Sequence, residues 1–163
     1  MNVDEITVNT RDEAYMLEAL REAYKARDMD EVPVGAVVVF DDKIISVAHN
    51  MVEHYNNSSA HAEMLAISQA EKSIGYKWLE KATLYVTLEP CSMCAGAMVL
   101  ARIGRLVIGT MDPKHGACGS VVNIANNDGF NHRIEVTKGI LSESCGEILT
   151  EYFRAKRIAN KRR

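Results

Sequence analysis

His61-Ala62-Glu63 and Pro90-Cys91-Ser92-Met93-Cys94 bring together an imidazole, a pair of thiols and a carboxylate that need not ligate. Those are the parts of a hydrolytic metal site. A zinc ion held by a His and a pair of Cys keeps its fourth tetrahedral position open for water, whereas a structural zinc site fills that position with a further protein ligand. Water on such an ion falls in pKa from about 15.7 to about 7, which makes hydroxide available near neutral pH. Protons must still be moved, and Glu63 is the candidate base. His61 and Glu63 would point about 200° apart on a regular helix. At a helix start the imidazole can then face the metal while the carboxylate leans over the open position. Cys91 and Cys94 are spaced so that a first helical turn sets both sulfurs on one side, beside unpaired N–H groups that favour thiolate. Pro90 suits a helix entrance, where its missing N–H costs nothing. A lone Cys-x-x-Cys or His-x-Glu carries little weight. Both in this order, with 30 residues from His61 to Cys91, carry a great deal.

The chain that must position these groups has 163 residues, 47% of them hydrophobic, enough for one sizeable core and one domain spanning 1–163. No stretch reaches about 18 uninterrupted apolar residues, and Met1 to Thr10 lacks the basic-then-apolar pattern of a secretion signal. The expected setting is the cytoplasm, with no membrane partner. In a reducing compartment the cysteines favour metal over disulfides. Cys118 and Cys145 read as small buried residues. A net charge of −3 conceals an asymmetry. Residues 1–100 carry 8 basic and 16 acidic side chains, a balance of −8; residues 101–163 carry 11 and 6, a balance of +5. The densest basic run, Arg154, Lys156, Arg157, Lys161, Arg162 and Arg163, falls at the end of the chain. It reads as a solvated helix end or, beside a base-modifying site, as a phosphate contact.

Thr10-Arg11-Asp12-Glu13 matches a capping box, and Leu17, Leu20 and Tyr24 then recur at helical spacing, predicting a helix to about Asp28. Gly35 to Phe40 reads as a buried strand, Asp41-Asp42-Lys43 as a turn, and Ile44 to Ala48 as the hairpin partner. Asn56-Asn57-Ser58-Ser59 offers caps for a helix from Ala60 to about Lys72, with His61 in its first turn. Thr83 to Leu88 is a strand running into a helix from Cys91 to about Ala101. Arg105 to Thr110 and Ile134 to Val136 complete the strands, and Ser142 caps a last helix over about 142–163. Strands alternating with helices point to an α/β fold, a sheet covered by helices. Both ligand groups then stand at helix starts. Helices lying side by side with one polarity would converge them on a single ion.

The pattern His-x-Glu…Pro-Cys-x-x-Cys is the signature of zinc nucleobase deaminases. Beyond it, Glu31-Val-Pro-Val-Gly-Ala36, the run from Thr83 to Ala97, Ala101-Arg-Ile-Gly-Arg105, Asp112-Pro-Lys114, Asn131-His-Arg133 and Phe153-Arg154 make the chain resemble the bacterial tRNA-specific adenosine deaminases, in the cytidine deaminase-like superfamily. The resemblance implies a three-layer αβα sandwich with a mixed sheet of five strands, and a homodimer whose subunits share the RNA surface. It implies one zinc per subunit on His61, Cys91 and Cys94, with Glu63 as proton shuttle. It implies that Asn50 hydrogen-bonds the flipped base, that Val32 and Leu88 wall its pocket, and that Asp112, Lys114, Phe153 and Arg154 face the anticodon nucleotides. By pattern alone, Val32 and Leu88 read as core, Phe153 as helix packing, Asp112 as a turn initiator and Lys114 as a solvated charge. The family usually has Asp-Pro-Thr just before Ala-His-Ala-Glu, whereas this chain has Asn57-Ser58-Ser59, with serine still able to cap the helix. His49 also departs from many members.

The activity implied is hydrolytic deamination of adenosine to inosine, with release of ammonia, at the wobble position of a tRNA anticodon loop. Bases of such a loop can be splayed into a pocket cheaply. The alternative is a deaminase of free bases or nucleosides such as guanine, cytosine or cytidine, using the same metal site. A non-catalytic zinc-stabilised RNA-binding module would have no use for Glu63.

Overall fold

Thr10 starts the first long helix as its spacing predicts. Its hydroxyl accepts from the Glu13 N–H, Glu13 accepts from the Thr10 N–H in return, and α1 runs Arg11–Asp28. The computed structural model describes residues 2–162; Arg163 of the basic run lies outside them. A buried stripe of Met16, Ala19, Leu20, Ala23 and Ala26 lays α1 on the sheet. Contact is closest at Gly35, where a Cβ would stand 1.9 Å from the Ala19 carbonyl oxygen and 2.6 Å from the Ala23 nitrogen.

Strand β1, Gly35–Phe40, turns into β2, Lys43–His49, through Asp41 and Asp42, both at positive φ (52° and 57°), as a tight hairpin demands. Strands β3 (Ala82–Leu88), β4 (Arg105–Thr110) and β5 (Glu135–Lys138) complete a five-stranded sheet in the order β2-β1-β3-β4-β5. β1 is antiparallel to both neighbours, while β3, β4 and β5 run parallel, so the sheet is mixed. Alternate residues serve opposite faces: Ala36, Val38, Leu84 and Val86 pack under α3 (Ala62–Ile74) and α4 (Ser92–Leu100). Val37, Val39, Tyr85 and Val107 pack under α1 and α5 (Ser142–Lys161). The result is the three-layer αβα sandwich. At the edge where β3 begins, Asp12 accepts both forks of Arg105 at 2.8 and 2.7 Å and the Tyr85 hydroxyl at 2.8 Å, fastening α1 to β3 and β4.

Boundaries differ from the sequence reading where a partner distant in sequence decides them. The helix after Ser59 begins at Ala62, so His61 stands just before its first turn rather than in it. Asn57 does not cap that helix; its side chain accepts from the N–H and hydroxyl of Ser59, closing a local turn after a short helix α2, Val52–Tyr55, that the pattern did not reveal. Strand β5 lies later than Ile134–Val136, because the Ile134 N–H is taken by the Ala125 carbonyl. Ser142 is the first helical residue and not a cap. Leu141 precedes α5 at φ 52°, held by packing against the α1 side of the core. Among the described residues no helix is long and apolar enough to cross a membrane.

Candidate active site

His61 and Cys91 occupy matching positions, each the extended residue before a helix start, and neither helix end has a side-chain cap. The ends of α3 and α4 are thereby left to hold a ligand. Cys91 Sγ lies 3.6 Å and Cys94 Sγ 3.5 Å from His61 Nδ1, and the donor atoms all fall within 4.8 Å of one another. A tetrahedral zinc with bonds of about 2.3 Å to sulfur and about 2.0–2.1 Å to nitrogen has N···S edges of about 3.6 Å. The donor set and its spacing fit zinc. Among the described residues this is the cluster of His, Cys, Asp or Glu that could hold a metal.

The thiols differ in acidity, and one keeps its proton. Cys91 is held down at about 5, chiefly by its hydrogen bond with Cys94, and Cys94 is pushed far up by that same bond and by burial. A divalent cation displaces such a proton. Glu63, in the first turn of α3 and 4% exposed, leans in from the other side with its Oε2 accepting from Cys94 Sγ at 3.3 Å. Burial raises its pKa, the direction that suits a group exchanging protons near neutral pH.

These groups floor a cavity of about 420 Å³, large enough for a nucleobase. Val32, Val34, Val52 and Leu88 supply apolar walls, Asn50 a buried amide, and Asp112, His115 and Tyr152 further polar lining, with Glu31, Glu53 and Glu89 among the rest. No Lys or Arg is among the described lining residues. Of the residues singled out in the sequence, His61, Glu63, Cys91, Asn50, Val32, Leu88 and Asp112 meet at this cavity, and Cys94 lies against its floor. Lys114 and Phe153 line an adjoining groove of about 390 Å³ with Asp112 and Arg157. Phe153 also borders a second groove, with Asp30 and Lys156. Lys156 donates to Asp30 at 2.7 Å and the Tyr152 hydroxyl donates to the Asp30 carbonyl at 3.2 Å, docking α5 beside the mouth. Arg154 is exposed and lines none of these cavities.

Sequence reasoning missed the acids that frame the cavity. Glu31 is fully buried and accepts from the N–H groups of Glu53 (3.2 Å) and His54 (2.7 Å) and from Asn50 Nδ2 (3.4 Å). Burial pushes its pKa up, but the His54 and Glu53 donors outweigh it and hold the carboxyl below its ordinary range. Glu89, 2% exposed, behaves alike: burial raises it, while the Ser120 hydroxyl and the N–H groups of Asp112, Ser120 and Cys118 win. The available signal was a carboxylate in an apolar run just before proline, in Glu31-Val32-Pro33 and Glu89-Pro90. His49 points away from the cavity to the buried Glu22, 2.9 Å from its Oε2.

The sequence model of the MafB19-like deaminase family matches residues 10–157. The chain is 51% identical to the tRNA-specific adenosine deaminase of Bacillus subtilis, over 93% of this chain and 94% of that protein. It is 46% identical to the enzyme of that name from Aquifex aeolicus, over 89% and 95%. Among solved structures, one from work on A-to-I editing by tRNA:A34 deaminases at the wobble position of transfer RNA superposes with a TM-score of 0.81. It is 43% identical and covers 83% of this chain and 99% of that one. A guanine deaminase from Nitrosomonas europaea superposes with a TM-score of 0.75 at 25% identity, covering 92% and 89%.

Proposed function

This chain belongs to the tRNA-specific adenosine deaminases, within the MafB19-like deaminase family, and from that premise we propose that it hydrolyses adenosine to inosine and ammonia at the wobble position of a tRNA anticodon loop. The observation that carries the reading is a buried carboxylate beside a His-Cys-Cys metal cluster, at the floor of a cavity with no Lys or Arg among its described lining residues, whose neighbouring grooves bear Lys114, Lys156 and Arg157. The working molecule is a cytoplasmic homodimer of single deaminase domains (1–163).

His61, Cys91 and Cys94 would hold one zinc ion per subunit. When bound, the ion supplies the Lewis acidity that makes water nucleophilic near neutral pH. Glu63 takes a proton from the attacking water and passes it to N1 as C6 is attacked, then takes the proton of the resulting C6 hydroxyl and passes it to the departing amine, ending as it began. Its burial keeps those protons from exchanging with bulk solvent. Val32 and Leu88 flank the base, excluding water, and Asn50 hydrogen-bonds its edge. Asp112, Lys114, Phe153 and Arg154 meet the flanking nucleotides, while the cations of α5 neutralise phosphates, a contribution that weakens as salt rises.

A free-base deaminase would use the same floor, as the likeness to a guanine deaminase illustrates. It would have no use for cation-bearing grooves beside the mouth. Incubating the protein with an anticodon stem-loop and, separately, with guanine, cytosine, cytidine and adenosine distinguishes them. Inosine should form in the stem-loop at a far higher kcat/KM than ammonia is released from any small substrate. Faster turnover of guanine would replace this assignment with the free-base reading.

A further inference from the structure

The segment from Asp112 to Ser120 has no regular structure, yet it carries Asp112 and His115 to the cavity and Lys114 to the groove beside it. Asp112 Oδ1 turns the start of the segment by accepting from the N–H groups of Lys114 at 2.9 Å and His115 at 3.2 Å, and one side chain from outside gathers its two ends. Glu89 Oε1 accepts from the Asp112 N–H at 3.0 Å and from the Ser120 hydroxyl. Its Oε2 accepts from the N–H groups of Cys118 at 3.0 Å and Ser120 at 3.1 Å. The loop closes over the carboxylate so tightly that a Cβ on Gly116 would lie 2.2 Å from it. The next residue, Pro90, accepts the Ala117 N–H at 2.9 Å and leads directly into Cys91.

We propose that Glu89 is a positioning residue for RNA recognition, a buried carboxyl group around which the 112–120 loop folds. It ties the loop's contact residues in fixed register to the segment bearing the metal ligands. The inference rests on the reading of that loop as an RNA contact. Only a carboxylate satisfies the geometry, because both oxygens face donors and a backbone N–H stands on each side. A glutamine must turn its NH2 against one of them. The less costly choice faces Ser120 Oγ, which can rotate to accept, and it abandons the Asp112 N–H at the cavity. Glu89 borders the cavity, but both of its oxygens are taken by loop donors, so it acts through the loop.

The test uses the zinc-loaded full chain as E89Q and, because Ser120 is exposed and its loss mild, as S120A. Each is measured for metal content, amide hydrogen exchange over 112–120, and KM and kcat on an anticodon stem-loop. For E89Q, metal content should match the parent, the loop amides should lose protection, and KM should rise about tenfold, the factor equivalent to ~1.4 kcal/mol, with kcat changed far less. S120A should raise KM by about threefold, the scale of one neutral hydrogen bond. Unchanged KM and unchanged exchange in folded E89Q would overturn the proposal, as would a loss confined to kcat and accompanied by metal loss. Should E89Q fail to fold, S120A decides by the same readouts. If the parent chain leaves the stem-loop unconverted, the substrate reading fails instead, and the exchange measurement still reports whether Glu89 orders the loop.

Discussion

Glu63→Gln isolates proton transfer from every other part of the site. The substitution keeps the side chain's shape within α3, leaves His61, Cys91 and Cys94 in place and still offers an amide oxygen to Cys94 Sγ, so metal content should stay at the parental level. Glu63 is 4% exposed and its Oε2 lies 3.3 Å from Cys94 Sγ; solvent cannot supply a base in its place, and among the described lining residues the other carboxylates are engaged elsewhere or stand at the mouth. A positioned acid–base group is worth about 10²–10⁴ in rate, or ~2.7–5.4 kcal/mol of barrier. kcat on an anticodon stem-loop should therefore fall by that factor, while KM, set by walls and rim, changes little. Single-turnover assays following inosine, run beside metal analysis and a thermal melt, read each quantity separately. Turnover above about a tenth of the parental rate would refute the assigned role, and so would loss of the metal with the carboxylate.

Chelation should abolish deamination and lower the melting temperature together, since metal bound only to the folded site contributes folding free energy, and zinc should restore both; full activity in metal-free protein would refute the site. Gly35→Ala places a Cβ 1.9 Å from the Ala19 carbonyl oxygen; lifting α1 from β1 should cost ~3 kcal/mol and lower the melting temperature by about 6–12 °C, read by calorimetry. Asp12 is held below the usual carboxylate range, chiefly by its hydrogen bond from Arg105. The stability it contributes is present above the unfolded-state pKa of about 3.9 and is lost as pH falls through the lower folded value. Arg105→Gln should accordingly destabilise the protein at neutral pH, and the gap between variant and parent melting temperatures should narrow as pH drops through about 4. Arg157→Ala should weaken stem-loop binding and flatten the slope of log affinity against log salt by about 0.7, which titrations at several salt concentrations would measure.

What could be read in advance was set by spacing along the chain. The capping box at Thr10, the apolar run of β1 and the convergence of His61 with Cys91 and Cys94 each depend on residues a few positions apart, or on helix starts that local chemistry announces. What escaped depends on partners far away. Glu31 finds its donors 19 to 23 residues on, and Glu89 finds its own 23 to 31 residues on. Neither separation has a period to detect. Asn57 could serve equally a helix start or its own turn, and only the short helix before it decides. Leu141 enters α5 in a left-handed conformation that no propensity favours, because packing against the core outweighs the strain.

The charge asymmetry along the sequence becomes a spatial one in the fold. Residues 1–100, at −8, supply Glu31, Glu53, Glu63 and Glu89 to the cavity, joined there by Asp112; residues 101–163, at +5, supply Lys114 and Arg157 to one groove beside it and Lys156, paired with Asp30, to the other. A phosphate carried into the cavity would meet carboxylates at short range in a poorly screened interior, where repulsion far exceeds its value in water. The same phosphate left in the groove of Lys114 and Arg157 would meet two cations beside the single carboxylate of Asp112. On the function proposed above, charge would sort a nucleotide into its parts, drawing the uncharged base inward and keeping its backbone outside, a division that a base turned out of a strand satisfies. The net −3 of the whole chain is therefore compatible with an RNA substrate, because the acids and bases that sum to it act on different atoms of the same nucleotide.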